Sequence, residues 1–173
     1  MSERGAATSS ASDVVCWRIG VDTEAYEAHD LNGVGAEKSG GRWNRKGTPM
    51  VYTATTQALA CLETVVHLNS ELLPLNRYLV EIRIPEDLWR ERSVADSERL
   101  VGWDALPPGK VSIDWGTQWA ASLATAVAEV PSVIVPDESN VLINPKHVEA
   151  ARIVGRKLRR WLYDGRLVSP RTK

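Results

Sequence analysis

Five polar side chains carry the chemistry this sequence could do: Arg18, Arg42, Tyr52, Glu63 and Ser132. They comprise two guanidinium groups, one carboxylate, a phenol and a hydroxyl, with no His or Cys partner at a spacing that would complete an acyl-transfer triad. A guanidinium fork matches the oxygens of a pyrophosphate in a bidentate manner. A carboxylate can oppose the positive charge that develops on a sugar ring as a glycosidic bond opens. Together they suit cleavage of the nicotinamide–ribose bond of NAD. There the leaving group departs neutral, so no general acid is needed and one carboxylate suffices. Glu63 would steady the oxocarbenium charge, Arg18 and Arg42 would grip phosphate or ribose, and Tyr52 or Trp43 could stack on the nicotinamide. Three of them also have an ordinary structural use: Arg18 in an ion pair, Tyr52 in the core, Ser132 in a turn.

The elements that must position these groups can be read from local pattern. VVCWRI (14–19) is a short run rich in β-branched residues and reads as a strand carrying Arg18 near its end. Glycines at 33, 35, 40 and 41 then forbid a long helix and imply an irregular connection holding Arg42. PMVYTA (49–54) reads as a second strand bearing Tyr52, with its proline at the tolerated first position. Thr55 or Thr56 can cap a helix running from Gln57 through Leu68. Its apolar stripe is Leu59, Leu62, Val65 and Val66, and Glu63 falls beside Leu59 at the margin, partly desolvated yet able to face a cleft.

Further along, Tyr78, Val80, Ile82 and Ile84 share one face of a strand that Pro85 ends. The alanine-rich stretch 115–130 reads as a core helix stopped by Pro131. SVIV (132–135) and NVLI (140–143) read as short strands around a turn. From Lys146 to Tyr163 the apolar spacing fits either a helix or a strand.

A chain of 173 residues that is 43% hydrophobic and 25% charged suits one globular domain over residues 14–173, after a small, polar tail at 1–13 read as disordered. With no apolar run long enough for a membrane and no export signal, a cytoplasmic location is expected. Cys16 and Cys61 read as free thiols, and the scattered histidines leave no metal-ligand spacing, so no metal is expected. The net charge of −1 argues against nucleic acid as the main ligand. The five basic residues between Arg152 and Arg160 read as a solvated face.

WRI at 17–19, GGRWN at 40–44, PMVYTA, ALACLETVVHL at 58–68, LVEIRIP at 79–85, VPSVIVP at 130–136 and NVLINP at 140–145 together resemble, in order and spacing, the RES-domain family. The resemblance covers about residues 15–168. It implies a compact α+β fold, a mixed β-sheet core with flanking helices similar to ADP-ribosyltransferases. It also implies a toxin of a bacterial type II toxin–antitoxin pair that depletes NAD by hydrolysis or phosphorolysis, with transfer of ADP-ribose to a protein as the alternative. A module that binds a nucleotide or partner without turnover is the rival of another class. The family's arginines fall on Arg18 and Arg42, its tyrosine on Tyr52, its glutamate on Glu63 and its serine on Ser132. Trp43 would wedge the GGRWN loop against the core. The partners implied are NAD and a cognate antitoxin with an Xre-type helix-turn-helix DNA-binding domain, and a homodimer can form within that complex. Direct nucleic-acid or membrane binding is not expected. The D-x-R-L ending at Asp164 to Leu167 favours a strand over the ambiguous segment.

Overall fold

The computed structural model describes residues 13–68 and 73–167, so the expected N-terminal tail lies, apart from Asp13, outside the described residues. Strands β1 (Val14–Val21), β2 (Val51–Ala54), β3 (Arg77–Ile84), β4 (Ser93–Val94), β5 (Val127–Pro131), β6 (Ser139–Ile143) and β7 (Val154–Arg160) alternate with helices α1 (Val34–Ser39), α2 (Gln57–Val65), α3 (Glu86–Arg90) and α4 (Lys110–Ser122). The strands form one seven-stranded sheet in the order β4-β5-β6-β2-β1-β3-β7. Its ladders are antiparallel except for the parallel pair β4 and β5, which makes the sheet mixed and the fold α+β.

Alternation along the strands sends side chains to two cores. Cys16, Val80, Ile82 and Ile84 pack on one face with Val51, Val127, Val141 and Ile143. On the other face Ile19, Ala54 and Leu79 receive Leu59 and Ala60 of α2, and farther along Trp43 and Trp119 meet Ala128, Val130 and Leu142. The joint between β1 and β2 is narrow. Eight register pairs, Val14↔Ile84 to Val21↔Arg77, join β1 to β3, whereas β1 meets β2 through the single pair Trp17↔Ala54. Beyond Trp17 the sheet therefore parts, and Arg18 is the first residue past that seam.

Several expectations change. The helix expected over 115–130 begins earlier, at Lys110, and ends at Ser122, where Leu123 turns into the left-handed region at φ 53°. Thr125 fixes the break: its hydroxyl accepts from Trp119 Nε1 at 2.9 Å and donates to Val127 O at 2.9 Å. Val127–Pro131 then pairs with β6 as a strand. SVIV is a turn and not a strand, because Ser132 Oγ accepts the backbone N–H groups of Ile134 and Val135, both at 3.1 Å. Helix α2 stops at Val65, so Val66 leaves the expected buried stripe and is 55% exposed. The ambiguous segment divides between a 3₁₀ turn at Val148–Arg152 and the strand β7. Much of its basic face is paired: Lys157 bridges Asp22 and Glu27, and Arg152 bridges Asp87 and Glu149. The two cysteines are free, Cys16 buried and Cys61 partly so.

Candidate functional site

Glu63 is placed by the helix that carries it. Thr56 caps α2, its Oγ1 accepting from Leu59 N–H at 3.1 Å and donating to Glu138 Oε2 at 2.7 Å. With Leu59 buried against the sheet, the helical period leaves Glu63 at the edge of the covered face. There its Oε1 accepts two hydrogen bonds, from Ser132 Oγ at 3.0 Å and from Asn140 Nδ2 at 2.5 Å. Ser132 is fully buried, and the two amides it accepts aim its proton at the carboxylate. Asn140 pairs with Ala54 across the β2–β6 ladder, so its side chain stands on the face that α2 covers.

A hollow of about 220 Å³ opens beside Glu63, lined also by Arg18, Ile19, Thr64, His67 and Arg77. A larger concavity of about 450 Å³ lies against residues 39–41 and 44–46 with Pro108 and Ile113, but Glu63 does not border it. Of the two, the smaller hollow is the one that Glu63 borders, with Arg18 and Arg77 also in its lining.

Arg18 is in the lining of this hollow, although alternation places its side chain on the face of Cys16, opposite α2. Its Nη1 donates to Asp30 O at 3.2 Å. Burial pulls its pKa down, against the opposing pull of Tyr26 and Asp30. Arg42 lies outside the lining. Its Nη1 donates to Trp103 O at 2.9 Å and Ala105 O at 3.0 Å, so one arm of the fork holds the 103–105 loop. Burial lowers its pKa too, and the charge that most opposes this is that of Glu63, followed by Asp104 and Tyr52. Arg42 and Glu63 thus share one electrostatic field although they sit on different elements.

Tyr52 and Trp43 are structural in their contacts. The Tyr52 hydroxyl accepts from Trp43 N–H at 3.0 Å and donates to Asn44 Oδ1 at 2.7 Å, and burial pushes its pKa up. Asn44 Nδ2 in turn donates to Ala36 O, Arg45 O and Thr48 O. A Cβ on Gly41 would stand 2.7 Å from the Tyr52 oxygen, so the glycine lets the loop close on the tyrosine. Trp43 is 2% exposed, stacked on Trp103 with centroids 6.0 Å apart and edge-on to Trp115 at 5.5 Å. The wedge expected of Trp43 is what its contacts describe. In this structure its ring presents almost no open face to a ligand.

Sequence reasoning missed Asn140, Arg77, His67 and Thr64. An amide at the start of the apolar run NVLI was the one signal for Asn140. Arg77 could have been found from alternation, because it shares a strand face with Leu79, which packs under α2. The assembled site offers cations for an anionic ligand and one doubly anchored carboxylate at the wall of the same hollow. That arrangement fits a phosphorylated sugar on which positive charge develops.

Comparison with known proteins agrees with this reading at the level of family. The RES domain family model matches residues 15–164. The chain is 58% identical over 153 residues to a Prs ADP-ribosylating toxin of Sphingobium sp. (strain YBL2), a match that covers 88% of this chain and 95% of that protein. It is 35% identical over 122 residues to Toxin Res of Yersinia enterocolitica serotype O:8, covering 70% of this chain and 79% of that protein. It is 37% identical over 121 residues to Toxin Res of Photorhabdus laumondii, covering 69% and 76% respectively.

Proposed function

This chain belongs to the RES-domain family, and we propose that it is an NAD-consuming toxin that cleaves the nicotinamide–ribose bond. The observation that carries the reading is the carboxylate of Glu63, held by Ser132 and Asn140 at the wall of a hollow that Arg18 also lines. In this mechanism the guanidinium groups of Arg18 and Arg42 hold the negatively charged dinucleotide. The ribose then lies against Glu63. As the bond to the nicotinamide nitrogen lengthens, the ring nitrogen takes the electron pair and the base leaves neutral. The positive charge left on the ribose is opposed by the carboxylate. An acceptor then attacks the anomeric carbon.

Water or phosphate as acceptor gives NAD hydrolysis or phosphorolysis. A protein acceptor gives ADP-ribosylation, and the similarity to the Sphingobium toxin favours this second reading, with Prs as the acceptor. The family reading also supplies a partner, an antitoxin with an Xre-type helix-turn-helix that neutralises the toxin, within whose complex the toxin forms a homodimer. The proposed setting is the bacterial cytoplasm. Among the described residues no helix is long and apolar enough to cross a membrane.

The test uses NAD labelled in its adenylate phosphate, incubated with the purified protein with and without Prs. Nicotinamide release with label on Prs supports transfer, and release with free ADP-ribose or its phosphate supports hydrolysis or phosphorolysis. Absence of nicotinamide under both conditions refutes NAD consumption.

A further inference from the structure

We infer that Asn140 is a positioning residue for Glu63, acting by donating to the same oxygen as Ser132 and so fixing which carboxylate oxygen is offered to the ribose. The inference rests on the proposed role of Glu63. A glutamate on a helix has three rotatable side-chain bonds, and one hydrogen bond leaves the carboxylate free to swing about the bonded oxygen. Two donors converging on Oε1 remove that freedom: Ser132 Oγ at 3.0 Å and Asn140 Nδ2 at 2.5 Å. Among the described residues no protein donor reaches Oε2, so the second oxygen is the one available for a ribose hydroxyl or the developing cation.

The two donors come from one hairpin. Ser132 follows β5 and Asn140 lies in β6, and the same hairpin receives the start of α2 through Thr55 N–H to Ser139 O at 3.2 Å and Thr56 Oγ1 to Glu138 Oε2 at 2.7 Å. With its first turn already tied down, α2 does not need Asn140 to stay in place. The amide's contribution is the orientation of one side chain. Its chemistry suits this, since Nδ2 is a neutral donor and adds no charge beside a carboxylate that has to remain anionic.

Asn140→Ala and Asn140→Asp separate orientation from simple packing. Asn140→Ala is expected to lower kcat for nicotinamide release about 10-fold to 30-fold at every pH, with KM for NAD within about threefold of wild type. Asn140→Asp is isosteric and behaves differently. At the acid end of a pH 5 to 9 series the introduced carboxyl and Glu63 share one proton, and the protonated group still donates. As pH rises that proton is lost and two like charges face each other. Activity therefore starts near wild type and falls steeply with pH, whereas wild type shows no such fall. The charged or titratable groups nearby are Arg18, Arg42, His67, Arg77 and Glu138, and all are present in every variant.

Wild-type kcat in both variants across the series overturns the inference. So does equal impairment of Asn140→Asp and Asn140→Ala at every pH. A crystal structure of Asn140→Ala judges the same point without NAD: the Glu63 carboxylate is expected to leave Ser132 Oγ or rotate about it, and an unmoved carboxylate overturns the inference. Failure of the wild-type protein to release nicotinamide refutes the proposed function and leaves this structural readout standing.

Discussion

The Tyr52 hydroxyl and the Asn44 side chain are bound at 2.7 Å, and the same hydroxyl accepts the Trp43 amide, so one phenol closes the GGRWN loop from beneath. Tyr52→Phe leaves Asn44 Oδ1 and Trp43 N–H without that partner in a largely dry setting. Loss of about 1–3 kcal/mol of stability is expected, the cost of stranding buried polar groups. Chemical denaturation measures it. If the tyrosine acts only through the loop, kcat/KM for NAD falls in proportion to loop disorder seen by hydrogen exchange.

Glu63→Gln preserves size and removes the charge. Turnover of NAD is expected to fall by about 10²-fold to 10³-fold, the usual effect of deleting one preorganised electrostatic group. Single-turnover kinetics with the purified variant provide the check, and activity within threefold of wild type would remove Glu63 from the mechanism.

Arg42→Lys removes the planar fork whose Nη1 holds Trp103 O and Ala105 O. An ammonium cannot hold both carbonyls and also present a second arm to a phosphate. A drop of about tenfold or more in kcat/KM is expected, accompanied by faster amide exchange in residues 103–105.

How much of this was legible beforehand differs from element to element. β3 was readable to the residue, because its alternation is uninterrupted and Pro85 supplies a stop. The position of Glu63 followed from helical spacing once Leu59 was assigned to the core. The end of α4 was not readable. Its alanines continue past Ser122 with good helix propensity, and what overrides them is a strand partner, β6, together with Thr125, which links Trp119 and Val127. Asn140 was invisible for a similar reason: it meets Glu63 across 77 positions, and nothing local marks an amide as a carboxylate donor. Arg18 and Arg42 were identified by type, but their present partners are backbone carbonyls of irregular segments, which no periodicity encodes.

Gly116 lies in α4 against the tryptophan wedge. A Cβ there would sit 2.0 Å from Trp43 O, a backbone atom that cannot move without shifting the GGRWN loop. Gly116→Ala is expected to destabilise the fold by at least about 2 kcal/mol despite the better helix propensity of alanine, since overpacking of this kind commonly costs 1–3 kcal/mol. Thermal unfolding decides it, and an unchanged Tm would contradict the close approach.

Cys16 gives a pH dependence with a definite sign. Burial pushes its thiol from 9.0 up to about 12, so folding favours the protonated form. The stabilisation is fully present below the unfolded value and is lost as pH rises from about 9 toward 12, because the unfolded chain ionises first. This group alone contributes a slope of up to about 1.4 kcal/mol per pH unit in that window. Denaturant titrations at pH 8 to 11 measure the slope, which should flatten in Cys16→Ala. In the native state Cys16 should resist a thiol reagent until the chain unfolds.

Among the described residues Trp17↔Ala54 is the one register pair between the half-sheet of β1, β3 and β7 and that of β2, β6, β5 and β4. Arg18 travels with β1 and β3, while the donors that hold Glu63 travel with β5 and β6. Helix α2, which packs on Ile19 and Leu79 of one half and on Ala54 of the other, carries Glu63 over that joint. A change in that packing would move Glu63 relative to Arg18 without altering either side chain.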